Sequence, residues 1–306
     1  MVKISICIPA YRRPENLQRL LSSIKAQGFK DYEIVITDDS PDDSVWNSLQ
    51  NFSSLPISYH KNQPALGTPA NWNRSIALAT GEWIKLMHDD DWFRMPNSLQ
   101  AFADATKEGR KFIFSRYVNV DEKGVEQTPS ASSTWRNRIL KEPLTLLATN
   151  IIGPPSVTLI HHSQKEIYDE RMKWRVDLDL YIRLIRYEGS FHYIDEPLIN
   201  VGISDSQVTN DCINLPNVEL PEGQLLLEKY SVKPLSNLLV YDAWWRILRN
   251  SNTRTEAQLA KFTSGKPWPT VIHHMLRDES RLPAGLLRNR IVSKTAMVFS
   301  YLKNRK

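Results

Sequence analysis

Residues 62–92 read NQPALGTPANWNRSIALATGEWIKLMHDDDW. A loop carrying Gly67 and Pro69 gives way near Ala70 to helical composition, Gly81 stops the helix, and residues 82–87 (EWIKLM) have the length and apolar content of a buried strand. That strand runs directly into His88-Asp89-Asp90-Asp91-Trp92. The block therefore predicts loop, helix, strand and then a carboxylate cluster at the strand's C-terminal end. Towards the N-terminus, residues 4–10 and 33–37 (EIVIT) are short runs rich in β-branched side chains. Between them Pro14 opens a segment in which Leu17, Leu20, Leu21 and Ile24 recur at helical spacing. Residues 57–60 form a third strand. Strands separated by helices of about ten residues imply βαβ crossovers and a mostly parallel sheet flanked by helices, an α/β class whose ligand-binding loops lie at the carboxyl ends of the strands.

Beyond the block, a helix is predicted from Pro96 to Thr106 and a strand over 111–120. A polar loop follows over 121–138, apolar patterning returns at 144–148, 156–160 and 177–186, and a last strand falls at 197–201. From about Pro221 strand signals vanish and helical patterns dominate. The boundary is set near residue 215, giving a catalytic domain over 1–215 and a helical C-terminal region over 216–306. With 306 residues, 41% hydrophobic and 24% charged, the chain excludes global disorder and coiled-coil or collagen-like architecture. Cys7 and Cys212 lack CxxC spacing and are too few for a disulfide framework, so a reducing compartment is expected. The apolar run at 4–10 is far short of the roughly 20 residues of a membrane span and meets Arg12 and Arg13 at once, so a cytoplasmic protein without signal peptide or spanning helix is expected.

The two acidic clusters, Asp38-Asp39 and Asp89-Asp90-Asp91, each end a predicted strand. In a parallel sheet such ends can converge on one crevice, where carboxylates serve as hard oxygen ligands for Mg²⁺ or Mn²⁺ and bridge them to substrate phosphates. Acidic residues after a strand also act as turn formers and helix caps, the reading that suits Asp42 and Asp43. Three consecutive aspartates repel one another and call for a cation or solvent.

The order of these motifs resembles the family 2 glycosyltransferases over about residues 3–205: ISICIPAYRRPENL, EIVITDDSPDD, the 62–92 block and YDERMKWRVDLDLYIRLIRYEG. The resemblance implies a GT-A fold with a helical C-terminal region. It implies transfer of a sugar, with inversion, from a nucleotide diphosphate sugar to a hydroxyl of a glycan or lipid-linked glycan in bacterial polysaccharide or O-antigen assembly, with Mn²⁺ or Mg²⁺ as cofactor. Residue by residue, it puts Pro9, Ala10 and a stacking Tyr11 around the nucleotide base, with Arg13 also on the donor side. Asp39 is put on the base, Asn73 on the donor, Asp90 near the ribose and Asp91 on the metal, while Asp89 completes a DxD spelling with Asp91. In the family pattern an acidic pair precedes xDLWLRL and its second member is the general base. That member maps onto Asp177, whereas Val176 replaces the first acid. Relatives often carry a metal-reaching histidine after the last strand. Residues 200–205 (NVGISD) have none, leaving Ser204, Asp205 or water in that role.

Other residues carry paired readings. His88 is a metal neighbour or a packed strand-end histidine, and the adjacent pairs His161-His162 and His273-His274 lack metal-ligand spacing and read as structural. Pro155, in Gly153-Pro154-Pro155-Ser156, lines an acceptor site or makes a rigid turn, and Trp92 and Trp174 stack on sugars or belong to the core. Asp179 reads as a helix cap and Arg183 as a structural ion-pair partner. Residues 281–306 hold seven basic residues and no acid, so of the net +5 the first 280 residues carry −2. With Leu286, Leu287, Ile291, Val292, Val298, Phe299 and Leu302, this basic amphipathic tail suits either docking on the catalytic domain or peripheral contact with the inner face of the cytoplasmic membrane. Two rival activities are a metal-dependent phosphohydrolase and a non-catalytic nucleotide- or glycan-binding module. Nucleic-acid binding is not expected, because the basic charge is not interleaved with a recognition motif.

Overall fold

All seven residues of β1 (Ile4–Ala10) and all but one of β2 (Tyr32–Asp38) are buried, the mark of strands covered on both faces rather than alternating between core and water. The structure is a computed structural model that describes residues 2–164, 166–204, 212–262 and 267–305. Those residues form two compact units. The first comprises Met1–Leu140, Ile151–Glu170 and Asp179–Asp205, and the second Lys141–Asn150, Arg171–Leu178 and Ser206–Lys306. The change of composition near residue 215 does not register two short internal stretches that group with the helical unit, one of which carries Asp177. Their membership is fixed by contacts distant in sequence.

In the first unit β1 and β2 alternate with α1 (Pro14–Lys25) and α2 (Ser44–Leu49), followed by β3 (Ile57–Lys61), α3 (Ala70–Leu78), β4 (Trp83–Leu86), β5 (Trp92–Phe93) and α4 (Ser98–Ala105). Then come β6 (Phe112–Asp121), β7 (Glu126–Gln127), α5 (Ser133–Lys141), β8 (Thr158–His161), α6 (Val176–Glu188) and β9 (His192–Ile203). In α1 Pro14 takes the first turn, where its missing N–H costs nothing, and Leu17, Leu20, Leu21 and Ile24 form its buried stripe. The nine-stranded sheet runs β3-β2-β1-β4-β8-β6-β9-β5, with β7 paired to β6. From β3 to β4 every pairing is parallel. Antiparallel pairings enter at β8, while β6 and β9 are again parallel. Strand order reverses between β1 and β4, so their carboxyl ends flank the crevice where such sheets bind ligands.

Gly81 sits where α3 turns into β4 against β1. A Cβ there would meet Ser5 Oγ at 2.5 Å and Ser5 N at 2.7 Å, so only glycine allows the approach. The stretch 121–138, read as a loop, instead contains β7 and most of α5. The Asp121 carboxylate accepts the N–H groups of Lys123 and Val125 and turns the chain back onto β6. Only Ile139 of α5 is buried, so the helix has almost no apolar stripe to advertise itself.

In the second unit α7 (Pro216–Tyr230), α8 (Leu238–Asn250), α9 (Glu256–Ala260), α10 (Thr270–Ser280), α11 (Ala284–Leu287) and α12 (Arg290–Asn304) surround a core that includes Leu220, Leu226, Trp244, Trp245, Ile272 and Met275. Helix α12 is docked through a mixed face of Ser293, Met297 and Ser300. Ser293 accepts from Trp245 Nε1 (3.1 Å) and Arg249 Nη1 (3.0 Å), and Ser300 bonds Tyr241 Oη (2.7 Å) and Asp278 Oδ2 (2.8 Å). Of its apolar residues Met297 is buried with the two serines, whereas Ile291 at 78% and Phe299 at 69% exposure face outward. No helix among the described residues is long and apolar enough to cross a membrane.

Candidate active site

Leaving β1, the chain turns through Arg12 and Arg13, both left-handed at φ 59° and 55°. Each non-glycine residue held there costs on the order of 1–3 kcal/mol, so anchors must hold the turn. The Arg12 N–H donates to Ser40 Oγ at 2.6 Å, and the Arg13 guanidinium lies 3.3 Å from Asp90 Oδ2 and 3.7 Å from Asp89 Oδ1. Tyr11 stands 51% exposed with the Arg12 guanidinium 5.1 Å from its ring centroid. Pro9 and Ala10, expected around the base, are instead buried within β1, because the strand is covered on both faces. Ala10 gives its carbonyl to the Asp39 N–H at 3.0 Å. The exposed surface at this turn therefore begins at Tyr11.

Asp39 is buried, and its carboxylate accepts the N–H groups of Leu66 (3.0 Å) and Gly67 (2.7 Å) and Asn62 Nδ2 (2.8 Å). It thereby fixes the Gly67 loop beside the end of β2. Asp38 is wholly buried and accepts from Tyr59 Oη, Lys61 Nζ and the Ser40 N–H. Asn71, which the sequence reading passed over, bonds the carbonyls of Ala10 and Thr37 and accepts from Asn62, tying together the ends of β1, β2 and the loop. Asn73, expected on the donor, is committed elsewhere: its amide bonds the Tyr168 backbone in both directions and Glu170 Oε1. It secures the 168–170 segment.

At the end of β4, ligand atoms of His88, Asp90 and Asp91 lie within 4.8 Å of one another. Asp91 Oδ1 accepts the Gly202 N–H at 3.1 Å, because β5 pairs with β9 and carries that strand past the cluster. A Cβ on Gly202 would stand 2.5 Å from the Asp90 carbonyl, so the approach again requires glycine. The other Asp91 oxygen, Oδ2, and His88 Nε2 are buried with no hydrogen-bond partner among the described residues. Two unsatisfied buried acceptors, an imidazole nitrogen and a carboxylate oxygen, beside the carboxylate of Asp90 fit a divalent cation. Burial, reinforced by the charge of Asp90, pushes Asp91 well above the usual carboxylate range and Asp89 up to about 7. The fully buried Lys85, bonded to the carbonyls of Ser156 and Thr158, is pushed well below the ordinary lysine range by burial, with Asp91 opposing the shift.

The grouping differs from the expected assignments in two ways. It brings in His88, whose ring also packs 4.8 Å from that of Trp72, and it includes Asp90, assigned to the ribose. Asp89 faces Arg13 and stands outside the group, since neighbouring residues in this tight turn project in different directions. Ser204 lies within the described residues and Asp205 outside them. The Arg19 guanidinium covers the Trp92 ring at 3.9 Å, and Pro155 is buried at the start of a 3₁₀ turn, so neither presents the free surface expected of an acceptor platform. The Pro155-Ser156 segment instead supports the cluster: Ser156 Oγ accepts the His88 N–H at 2.9 Å. Asp179 is not a cap. It lies in the first full turn of α6, wholly buried, and pairs with Arg183 at 2.9 Å. The histidine pairs are held by structural hydrogen bonds, His162 to the Gly81 carbonyl and His273 to Glu256.

In the second unit, Asp177 stands near the start of α6, half-buried, with Oδ1 accepting the Leu178 N–H at 2.8 Å. Burial pushes its carboxyl up to about 7, and the charge of Glu222 adds to the shift. Trp174 is half-buried on the segment before it.

Comparison with known proteins bears on the fold and the family. The amylovoran biosynthesis glycosyltransferase AmsB of Erwinia amylovora is 26% identical over 209 residues, covering 65% of this chain and 69% of its own. The structure of S. aureus TarS 1–349 in complex with UDP-GlcNAc matches with a TM-score of 0.61 at 14% identity, over 98% of this chain and 92% of that one. The mannosyltransferase PcManGT from Pyrobaculum calidifontis, in complex with GDP-Man and Mn²⁺, gives 0.54 at 12% identity, over 99% and 87%. These likenesses concern the fold, which is GT-A. Residues 5–163, more than half the chain and spanning β1 to the acidic cluster and beyond, match Glycosyl transferase family 2, and the chain belongs to that family.

Proposed function

We propose that this glycosyltransferase moves a hexosyl or deoxyhexosyl group, with inversion, from a nucleotide diphosphate sugar to a hydroxyl of a glycan or lipid-linked glycan in bacterial surface polysaccharide assembly. The observation that carries the reading is the His88, Asp90 and Asp91 group, with two buried ligand atoms that no described residue satisfies. The amylovoran role in the name of AmsB and the nucleotide sugars bound to TarS and PcManGT support the substrate class.

Tyr11 offers its exposed face to the nucleobase, on a turn held by Ser40 and by the Arg13 pairing with the acids. Asp39 holds the Gly67 loop in place beside it. His88, Asp90 and Asp91 would hold Mn²⁺ or Mg²⁺, which when bound would supply charge compensation for a nucleotide diphosphate leaving group. Asp177 accepts the proton of the attacking hydroxyl. A carboxyl near 7 is ionised in a useful fraction at neutral pH and still basic enough to take that proton. One base without a separate nucleophile gives a single displacement, hence inversion.

The test is Asp177→Asn, which keeps shape and removes the proton acceptor. Transfer should fall by about 10²–10⁴-fold with nucleotide diphosphate affinity unchanged. Retained turnover overturns the base assignment. Phosphate release by the wild type without any acceptor would point to hydrolysis, and donor binding without turnover to a binding module.

The reading extends to a peripheral position at the membrane. The outward apolar residues of α12, Ile291, Phe299 and Leu302, stand beside exposed Arg288, Arg290 and Arg305, a pairing that suits an anionic lipid surface. Each basic residue near such a surface contributes about 1 kcal/mol. The protein should sediment with phosphatidylglycerol vesicles at low salt and remain in solution with phosphatidylcholine ones. Equal recovery from both lipids would remove this part of the proposal.

A further inference from the structure

The carboxylate of Glu222, in α7, lies only 4% exposed and receives three successive backbone donors. Its Oε1 accepts the N–H groups of Lys173 (2.6 Å) and Trp174 (2.7 Å), and its Oε2 accepts that of Arg175 (2.8 Å). Consecutive N–H groups converging on one point make an anion-binding nest, filled here by the chain's own side chain. One helical turn earlier, Glu219 Oε2 holds the Arg175 guanidinium at 2.5 Å, and its Oε1 accepts the Asn214 N–H at 2.8 Å. The clamped residues 173–175 are the ones from which α6 starts, and Asp177 is the second residue of that helix. Hydrogen bonds to an ionised group are each worth about 1.5–3 kcal/mol, so three on one carboxylate leave this segment little freedom.

We infer that Glu222 is the positioning residue for Asp177: from α7 it clamps the backbone of Lys173, Trp174 and Arg175 and so fixes the direction in which α6 presents the base. The inference rests on Asp177 being the base. It also accounts for the missing acid at Val176, since a carboxylate reaches the same segment from a different helix. Glu222 touches no reacting atom. Its effect passes through the backbone that it holds and, secondarily, through its charge, which opposes ionisation of Asp177.

The test uses the full-length chain with Glu222→Gln, Glu222→Asp and Asp177→Asn side by side, assayed for transfer from the donor to a mixed glycan acceptor pool. Glutamine keeps the shape, removes the charge and presents one amide donor to N–H groups that need acceptors. Its kcat should fall about ten- to a hundredfold, as for a misplacement of order 1 Å, with donor KM within about twofold of wild type. The acid limb of kcat/KM should move to lower pH, and the amides of 173–175 should exchange faster with deuterium. Glu222→Asp keeps the charge but withdraws it from the nest, so kcat should fall while the limb stays in place. Wild-type kcat in Glu222→Gln, or kcat and nucleotide diphosphate affinity lost together, overturns the positioning role. Should the glutamine variant not fold, the aspartate variant decides on the same kcat and KM criteria. An active Asp177→Asn would sink the base reading itself, whereas an inactive one beside a wild-type Glu222→Gln sinks only this inference.

Discussion

Asp91→Asn should leave the metal-free protein about as stable as wild type and abolish its response to Mn²⁺. Asp91 is 2% exposed, keeps Gly202 on one oxygen and has no described partner for the other. Its ligand oxygen lies within 4.8 Å of that of Asp90. At that separation two carboxylates repel by about 3.5 kcal/mol at an effective dielectric of about 20, a ceiling because the pair can shed the energy by binding a proton. Asparagine removes the repulsion but leaves a buried amide donor without a partner, at about 1–3 kcal/mol. The two effects roughly cancel. Metal binding has no such compensation: losing a direct ligand should weaken it by at least about a hundredfold, the upper end for loss of a supporting residue. At about 100 times the wild-type Kd, bound ligand stabilises wild type by about 2.7 kcal/mol and the variant by about 0.4 kcal/mol. With unfolding entropy near 2.1 cal/mol/K per residue over 306 residues, the Mn²⁺-dependent shift in Tm with UDP or GDP drops from about 4 °C to under about 1 °C. Thermal melts with and without Mn²⁺ read both quantities. An undiminished Mn²⁺ shift, or a metal-free variant more than about 5 °C less stable, refutes the reasoning.

Further outcomes follow from the titrating groups and the free face of α12. With Asp177 as the proposed base, active only when ionised, and its carboxyl raised to about 7, kcat/KM should fall about tenfold per pH unit below that point; a limb near 4 would count against that assignment. Glu279, wholly buried on α10 with neither oxygen bonded among the described residues, is raised to about 9 by burial, against the pull of Arg254 and Arg249. A carboxyl raised on folding contributes stability that is full below its unfolded pKa and is lost as pH climbs through the folded one. Glu279→Gln should therefore melt higher than wild type at pH 8 and gain much less at pH 5, and parallel Tm–pH curves would count against it. The double variant Ile291→Ser, Phe299→Ser should lose vesicle binding at unchanged Tm and unchanged turnover of soluble acceptors, since both side chains project from the protein. Retained sedimentation would show that another surface binds lipid.

Most of the first unit was legible because its elements announce themselves locally. β1 and β2 are short runs dominated by apolar and β-branched residues, α1 has a full apolar stripe behind an N-terminal proline, and the 62–92 block ends its strand in three acids. What the sequence hid depends on partners far along the chain. Asn71, Ser156 and Gly202 look unremarkable until the sheet order brings them to the ends of β1 and β4. Burial of Pro9, Ala10 and Pro155 follows from what packs over them, and the docking of α12 through Ser293 and Ser300 beside Met297 uses hydroxyl bonds that hydrophobic periodicity does not record. The bonds of Asn73 to the Tyr168 backbone were hidden for the same reason, since that partner lies about a hundred residues away.

The proposed reaction is metal-dependent transfer with inversion. It is tested most directly by incubating the full-length chain with a panel of nucleotide diphosphate sugars and a mixed glycan acceptor pool, with Mn²⁺ or with EDTA, and reading the anomeric proton of the product by NMR. Nucleotide diphosphate should be released only when acceptor and divalent ion are both present, and the product anomer should be opposite to that of the donor. Release that needs no acceptor, transfer that survives EDTA, or a retained anomer would contradict it.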